Sequence, residues 1–119
     1  MNTLNSFKDL IVWQKSYTLT ILVYKITETY PKNEIFNLVS QMRRCAISIP
    51  SNIAEGSKRS TRKDYANFLS VAQGSLAELE TQLLVSKDLG FISQKDSNTA
   101  FQLILEVGKM LNAMIKKLC

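Results

Sequence analysis

The sequence contains no histidine. Histidine supplies the general base of Ser-His-Asp and Cys-His sites and the ligands of zincin motifs, so these catalytic arrangements are excluded. Neither glycine-rich phosphate loop, G-x-x-x-x-G-K-S/T or G-x-G-x-x-G, occurs. Ser60 and Lys63 have the S-x-x-K spacing of some acyl-transfer enzymes, but the companion motifs are missing, and Ser60 or Thr61 fits a helix start better. The sequence therefore predicts a protein that is not an enzyme and uses no cofactor.

Cysteine, glycine and proline are scarce, at two, four and two residues in a chain of 119. Cys45 and Cys119 form neither a disulfide framework nor a paired metal-ligand spacing, so no metal site is predicted. A content of 45% hydrophobic and 21% charged residues is typical of a globular chain rather than a disordered one. Residues 1–119 are therefore expected to form a single domain.

Long hydrophobic runs are also missing. No apolar segment approaches the roughly 18 residues that span a bilayer, and the N-terminus lacks a basic start followed by an apolar signal core. We expect a cytoplasmic protein without a membrane partner.

Four segments with helical periodicity fill the chain. Pro31, residues 56–61 and Gly90 separate them, and start signals of the T-x-x-D type stand at Thr61 and Ser93. In the first segment the apolar stripe consists of Leu10, Trp13, Tyr17, Ile21 and Tyr24. In the second segment it consists of Ile35, Leu38, Met42, Ala46, Ile49 and Ile53. Because short connections force neighbours to run antiparallel, the pattern predicts an all-α, antiparallel up-and-down four-helix bundle. Helix 2 is expected to kink near Pro50 rather than break there.

Helices 1 and 2 carry more apolar surface than one bundle face needs. In helix 1 a second apolar set lies about 180° from the stripe given above, and in helix 2 three further residues widen the apolar sector. We predict that this surplus meets another copy of the chain. The predicted interface residues are Val12, Leu19, Val23, Ile26, Ile47, Pro50 and Ala54. The alternative is a wide stripe covered by the chain's own loops.

The net charge of +5 is concentrated in residues 43–63. That segment holds six basic residues and one acid, Glu55, which leaves nine charges of each sign in the remainder. Such a localised surplus favours a polyanionic partner. The candidate nucleic-acid-binding residues are Lys58, Arg59, Arg62, Lys63, Arg43 and Arg44.

These six residues fall into two groups. The four in the turn between helices 2 and 3 stand among hydroxyl side chains and helix N-terminal amides, which suits phosphate oxygens, although a merely solvated basic surface is the alternative. Arg43 and Arg44 lie about 20 Å along helix 2 from Gly56, where pairing with Glu55, Glu78 or Glu80 is the competing hypothesis. Since no aromatic residue lies between Arg43 and Tyr65, backbone binding with strong salt dependence is expected.

Four runs of sequence resemble a known family: residues 7–16 (FKDLIVWQKS), 30–34 (YPKNE), 41–69 (QMRRCAISIPSNIAEGSKRSTRKDYANFL) and 74–83 (GSLAELETQL). They are similar to the bacterial four-helix-bundle proteins encoded within intervening sequences of 23S ribosomal RNA genes. The same family includes the accessory protein of diversity-generating retroelements, a basic homopentameric barrel that binds reverse transcriptase and nucleic acid. Cys45 stands where the family has alanine. The resemblance implies a pentameric four-helix bundle with no known catalytic activity.

Two hypotheses about function follow. The first is a non-enzymatic homo-oligomer that binds the RNA or DNA backbone through the basic region of helices 2 and 3. The second is a protein-interaction scaffold that docks an acidic partner or a nucleic-acid enzyme such as a reverse transcriptase.

Overall fold

The computed structural model describes residues 6–119, so the first five residues of the predicted single domain lie outside the described part. Within this range the protein is all-helical and contains no strand. Four α-helices, α1 to α4, account for most of it, together with two 3-10 turns, Phe7–Asp9 and Lys32–Glu34, and a π-helical turn, Ile35–Val39. The α-helices span Ile11–Thr27, Ser40–Ser57, Arg62–Asp88 and Gln94–Leu118. The predicted four-helix bundle is confirmed.

The predicted start and stop signals define α3 and α4. The Thr61 hydroxyl accepts a hydrogen bond from the Asp64 amide and the Ser93 hydroxyl from the Asp96 amide, each at 3.1 Å. Both hydroxyls therefore satisfy an amide that the first helical turn leaves without a backbone partner. Gly90 follows the end of α3 with a φ of 76°, a conformation that glycine adopts without a steric penalty.

Each helix packs on its neighbours in sequence, and α1 also packs on α4, in a bundle of 47 × 25 × 21 Å. At one end, here called the loop end, the α1–α2 and α3–α4 connections meet, with the Tyr30 and Phe91 rings 5.4 Å apart. At the other end, here called the basic end, Arg62 Nη2 donates a hydrogen bond to the Lys117 carbonyl. The basic end therefore combines the α2–α3 turn with the last turn of α4.

The core contains the face of α1 that we had predicted to be an oligomer interface. Val12, Leu19, Val23 and Ile26 are at most 7% exposed, whereas three residues of the predicted core stripe, Tyr17, Ile21 and Tyr24, are 38–49% exposed. The interface prediction for the first four is thus corrected: they are core residues of the chain itself. The core residues of all four helices are Val12, Leu19, Val23, Ile26, Met42, Ala46, Ile49, Ile53, Leu69, Ala72, Leu76, Leu79, Leu83, Ala100, Ile104, Val107 and Leu111.

The hydroxyl groups on this face of α1 are compatible with its burial. Ser16 and Thr27 lie on it, and each hydroxyl donates to a carbonyl of its own helix, Ser16 to Trp13 at 2.9 Å and Thr27 to Val23 at 2.7 Å. Small hydroxyl side chains are therefore satisfied without water. The opposite face carries tyrosines, whose phenol oxygens keep contact with solvent there.

Helix α2 runs unbroken through Pro50, as expected; the predicted kink stays a prediction. Proline has no amide hydrogen, so the Ala46 carbonyl lacks its donor within the helix. The Thr20 hydroxyl of α1 lies 3.0 Å from that carbonyl oxygen and 2.9 Å from the Ser16 carbonyl oxygen, and it has one proton to donate. Pro50 itself is buried, which corrects its predicted place on an interface, whereas Ile47 is exposed and Ala54 is half-buried.

The predicted stripe of α2 also fails at its first position. Ile35–Val39 form a π-helical turn, which fits one more residue into the turn than an α-helix does. Val39 is buried in the core as a result, whereas Ile35 is 46% exposed and Phe36 is 95% exposed.

Candidate nucleic-acid interface

The α2–α3 turn is tight because α2 ends in close contact with α3. Gly56 is buried inside α2, and a Cβ atom there would lie 2.8 Å from Phe68 Cβ and 3.0 Å from Tyr65 Cδ1. Only glycine therefore allows the two helices to approach this closely. The chain then turns within residues 58–61, and the amides of Lys58 and Arg59 donate to the last carbonyls of α2.

Four of the predicted binding residues come together at this turn: Lys58, Arg59, Arg62 and Lys63 are all exposed. Arg59 is the most constrained of them. Its Nη2 lies 2.6 Å from Glu55 Oε2, and its guanidinium stacks 4.6 Å from the centroid of the Phe68 ring. An ion pair this exposed contributes little to stability, but it neutralises part of the charge of Arg59. Lys58 and Lys63 are therefore the residues best placed for phosphate contact.

Two further cations, Lys116 and Lys117, lie at the same end of the bundle. Both are exposed in the last turn of α4, and the hydrogen bond from Arg62 to the Lys117 carbonyl ties this turn to the start of α3. Neither lysine is among the binding residues predicted from the sequence. The predicted topology is enough to place them there, because the fourth helix of an up-and-down bundle ends beside the connection between the second and third helices.

The N-terminus of α3 offers phosphate less than the sequence suggests. The Thr61 hydroxyl already accepts a hydrogen bond from the Asp64 amide. The Asp64 carboxylate lies in the first turn, where the positive end of the helix dipole stabilises its negative charge. A phosphate there would meet a like charge. Side-chain cations, rather than backbone amides, therefore dominate the basic end.

Arg43 does not lie at the basic end. Its Nε donates to Thr27 Oγ1 at 3.0 Å, its Nη2 donates to the Tyr24 carbonyl at 3.1 Å, and its guanidinium stacks 4.8 Å from the centroid of the Tyr24 ring. The carbonyls of residues 24–27 belong to the last turn of α1, which lacks internal donors and favours a cation. Arg43 thus joins α2 to the C-terminus of α1, and its contacts differ from the glutamate pairs considered above.

Arg44 is exposed near the start of α2, also distant from the turn. Its neighbour Cys45 is half-buried, and Gln82 Nε2 donates to the thiol sulfur at 3.6 Å. Burial raises the pKa of the Cys45 thiol, the hydrogen bond from Gln82 lowers it, and the charges of Glu78 and Arg44 act in opposite directions. This region is a packed contact between α2 and α3 with a polar rim.

Among the described residues, no helix is long and apolar enough to cross a membrane. In residues 6–119 there is also no group of three or more cysteine, aspartate or glutamate side chains that could hold a metal ion.

Comparisons with known proteins agree with this architecture. The family model described as 23S rRNA-intervening sequence protein matches residues 8–113. Among solved structures, the chain is similar to a protein of unknown function from the S23 ribosomal protein family of Bacteroides thetaiotaomicron. The two share 25% sequence identity over 89% of this chain and 99% of that chain, with a TM-score of 0.80. A search of curated proteins gives no match.

Proposed function

Because the chain belongs to the 23S rRNA-intervening sequence protein family, we propose that it is a non-enzymatic helical bundle that forms a homo-oligomer and binds the phosphate backbone of RNA or DNA. One observation carries the proposal. Six exposed cations lie at one end of the bundle, where Glu55 is paired with Arg59 and Asp64 lies in the first turn of α3. The six are Lys58, Arg59, Arg62, Lys63, Lys116 and Lys117.

Clustered flexible cations favour nucleic acid because each phosphate contact releases a condensed counterion. Lysine ammonium groups act as point charges that follow an irregular backbone, so this arrangement suits binding without base recognition. Exposed hydroxyl groups of Ser60 and Thr61 stand between the cations and supply further phosphate contacts.

Oligomer formation would multiply this charge. The exposed side chains of Tyr17, Ile21 and Tyr24 on α1 and of Ile47 on α2, beside the half-buried Ala54, support a contact between copies. By the family resemblance we propose a pentamer, in which five chains of net charge +5 would carry about +25. Light scattering of the wild-type protein tests this part directly, and a monomer at all concentrations contradicts it.

A salt titration tests nucleic-acid binding. The double variant Lys58→Glu with Lys63→Glu is compared with Lys32→Glu with Lys95→Glu, which makes the same charge change at the loop end. For single-stranded RNA we expect the slope of log K against log salt to fall by roughly 0.7 for each phosphate that the basic end no longer neutralises. The loop-end variant should keep the wild-type slope. Equal effects from both variants, or a flat wild-type titration, contradict the proposal.

A scaffold that docks a protein remains the second candidate, because several large apolar side chains are exposed outside the basic end, Phe36 foremost. Charge reversal of Arg59 and Arg62 separates the two functions. If docking is the main function, the variant should retain its protein partners in a pull-down from the native host while nucleic acid is lost.

A further inference from the structure

Phe36 is the most exposed large apolar side chain among the described residues, at 95%, and its neighbour Ile35 is 46% exposed. A single exposed apolar residue is ordinary in a folded protein. A phenylalanine with nearly all of its surface in water, however, would gain almost the full free energy of burial on contact with a partner. Phe36 also lies in a π-helical turn, a conformation found often at functional sites. The turn buries Val39 and leaves Phe36 projecting from the loop end as an apolar knob.

A pocket of matching character lies on the outer surface of α1. It has a volume of about 310 Å³ and is lined by Tyr17, Thr18, Ile21, Leu22 and Lys25. Its walls are mainly apolar, and two of them, Tyr17 and Ile21, are 49% and 41% exposed. The Phe36 ring of the same chain is in solvent, so it does not fill this pocket.

The charges beside the knob and the pocket are complementary. Glu34 stands two residues before Phe36, at the end of the 3-10 turn, and Lys25 lines the pocket. Insertion of a Phe36 ring from another molecule would bring a carboxylate to a pocket that carries a cation at its edge. Opposite charges beside an apolar contact favour the correct orientation of two partners.

The knob and the pocket lie at different heights on the bundle. Arg43 of α2 contacts Tyr24 and Thr27, so the start of α2 is beside the end of α1. The centre of the pocket, Ile21, is six residues before Thr27, which corresponds to about 9 Å along the helix. Phe36 is seven residues before Arg43, which places the knob about 10 Å farther toward the loop end. The knob of one copy therefore reaches the pocket of another only when the two bundle axes are inclined to each other.

We infer that Phe36 of one chain inserts into the α1 pocket of a second copy, with Glu34 facing Lys25 across the contact. The inference rests on the homo-oligomer of the proposed function and names the surfaces that form it. Because the knob and the pocket are different surfaces, each chain donates Phe36 to one neighbour and accepts Phe36 from another. Such a head-to-tail contact builds closed rings when the rotation between copies closes.

Mixing two variants tests this contact. Phe36→Asp removes the knob and Ile21→Asp places a charge in the pocket; each variant alone should be a 13.5 kDa monomer by light scattering. A mixture in equal amounts restores one intact contact, since the Ile21→Asp chain keeps Phe36 and the Phe36→Asp chain keeps the pocket. The mixture should therefore form a particle of twice the monomer mass. Val71→Asp, which changes an apolar residue of α3 that is 52% exposed, should keep the wild-type mass.

Each result has a definite meaning. Phe36→Asp that keeps the wild-type mass overturns the inference while the proposed homo-oligomer stands. A mixture that stays monomeric overturns the head-to-tail pairing. A monomeric wild-type protein overturns the homo-oligomer and this contact together, but it leaves the salt titration of RNA binding unaffected. Circular dichroism melts accompany each variant, and both positions are exposed enough that the folded state should be retained.

Discussion

On the side of α2 that faces α1, polar side chains donate hydrogen bonds to backbone oxygens. On the side that faces α3, the absence of a side chain at Gly56 allows the two helices to approach closely. On the α1 side, the Thr20 hydroxyl lies within hydrogen-bond distance of the Ala46 carbonyl, and Arg43 donates to the Tyr24 carbonyl. On the α3 side, Phe68 packs close to Gly56 because glycine has no Cβ atom. The comparison shows that the α1 flank relies on side-chain donors to backbone oxygens, whereas the α3 flank combines close packing at Gly56 with a hydrogen bond between the Ser48 and Ser75 hydroxyls. The flank with close packing is the one that leads into the basic end.

The largest expected effect is at Gly56. Gly56→Ala would place a Cβ atom 2.8 Å from Phe68 Cβ, which is attached to the α3 backbone and cannot rotate away. We expect a loss of about 3 kcal/mol, in the upper part of the range for overpacking, and a lower Tm in calorimetry. Gly74→Ala is the control, because no atom lies within 4 Å of its Cβ position, and it should stabilise the helix by about 0.5–1 kcal/mol. Equal effects at both glycines would mean that α2 and α3 separate easily.

Thr20 tests the opposite flank. Thr20→Val keeps the shape of the side chain but removes the donor to the buried Ala46 carbonyl, and we expect a loss of about 2 kcal/mol in urea unfolding. Thr18→Val serves as the control, because the Thr18 hydroxyl bonds to a carbonyl on the exposed side of α1, and its loss should cost less than about 0.5 kcal/mol. If both variants behave alike, the contact to Ala46 has no special role.

Arg43 gives a smaller effect and separates structure from binding. Arg43→Lys keeps the charge but removes the planar donor pair that reaches Thr27 and Tyr24, so we expect a loss of about 1 kcal/mol in urea unfolding. The salt slope of RNA binding should equal that of the wild type. A variant with normal stability and weaker RNA binding would instead place Arg43 in the binding surface.

The smallest effect concerns pH at Cys45. Burial raises the pKa of its thiol above the unfolded value, so this group stabilises the fold fully below the unfolded pKa, and the contribution disappears as pH rises through the folded pKa. Cys45→Ala should therefore lose less Tm between pH 7 and pH 10 than the wild type does. Cys119→Ala, which changes an exposed thiol, should follow the wild-type curve. Parallel curves for all three proteins would show that the Cys45 thiol does not influence alkaline stability.

Local signals in the sequence predicted local structure well. The helix starts at Thr61 and Ser93 and the stop at Gly90 depend on nearby backbone chemistry, and the structure has all three. The choice of the buried face of α1 depends on which side the other helices cover, and periodicity gave two equally apolar faces. The hydroxyls of Ser16 and Thr27 were the available signal, because such groups tolerate burial on a helix better than tyrosine does.

The part of the candidate site that is local in sequence was also predictable. The turn residues 58–63 are adjacent in sequence, so their charge was visible as a cluster. Lys116 and Lys117 join them only through the topology of the bundle. Arg43 does not join them, because it donates to the Thr27 hydroxyl and the Tyr24 carbonyl at the end of α1. The π-helical turn that buries Val39 and exposes Phe36 departs from the α-helical period, which single-sequence periodicity does not reveal.

Pro50 sets the position of one helix along another. By leaving the Ala46 carbonyl without a donor, it creates an acceptor at one defined height on α2, and Thr20 of α1 occupies that height. Sliding α1 by one helical turn, about 5.4 Å, would carry the hydroxyl away from the acceptor and leave a buried oxygen unsatisfied. Pro50, a residue usually regarded as a helix breaker, thus favours one vertical alignment of α1 on α2.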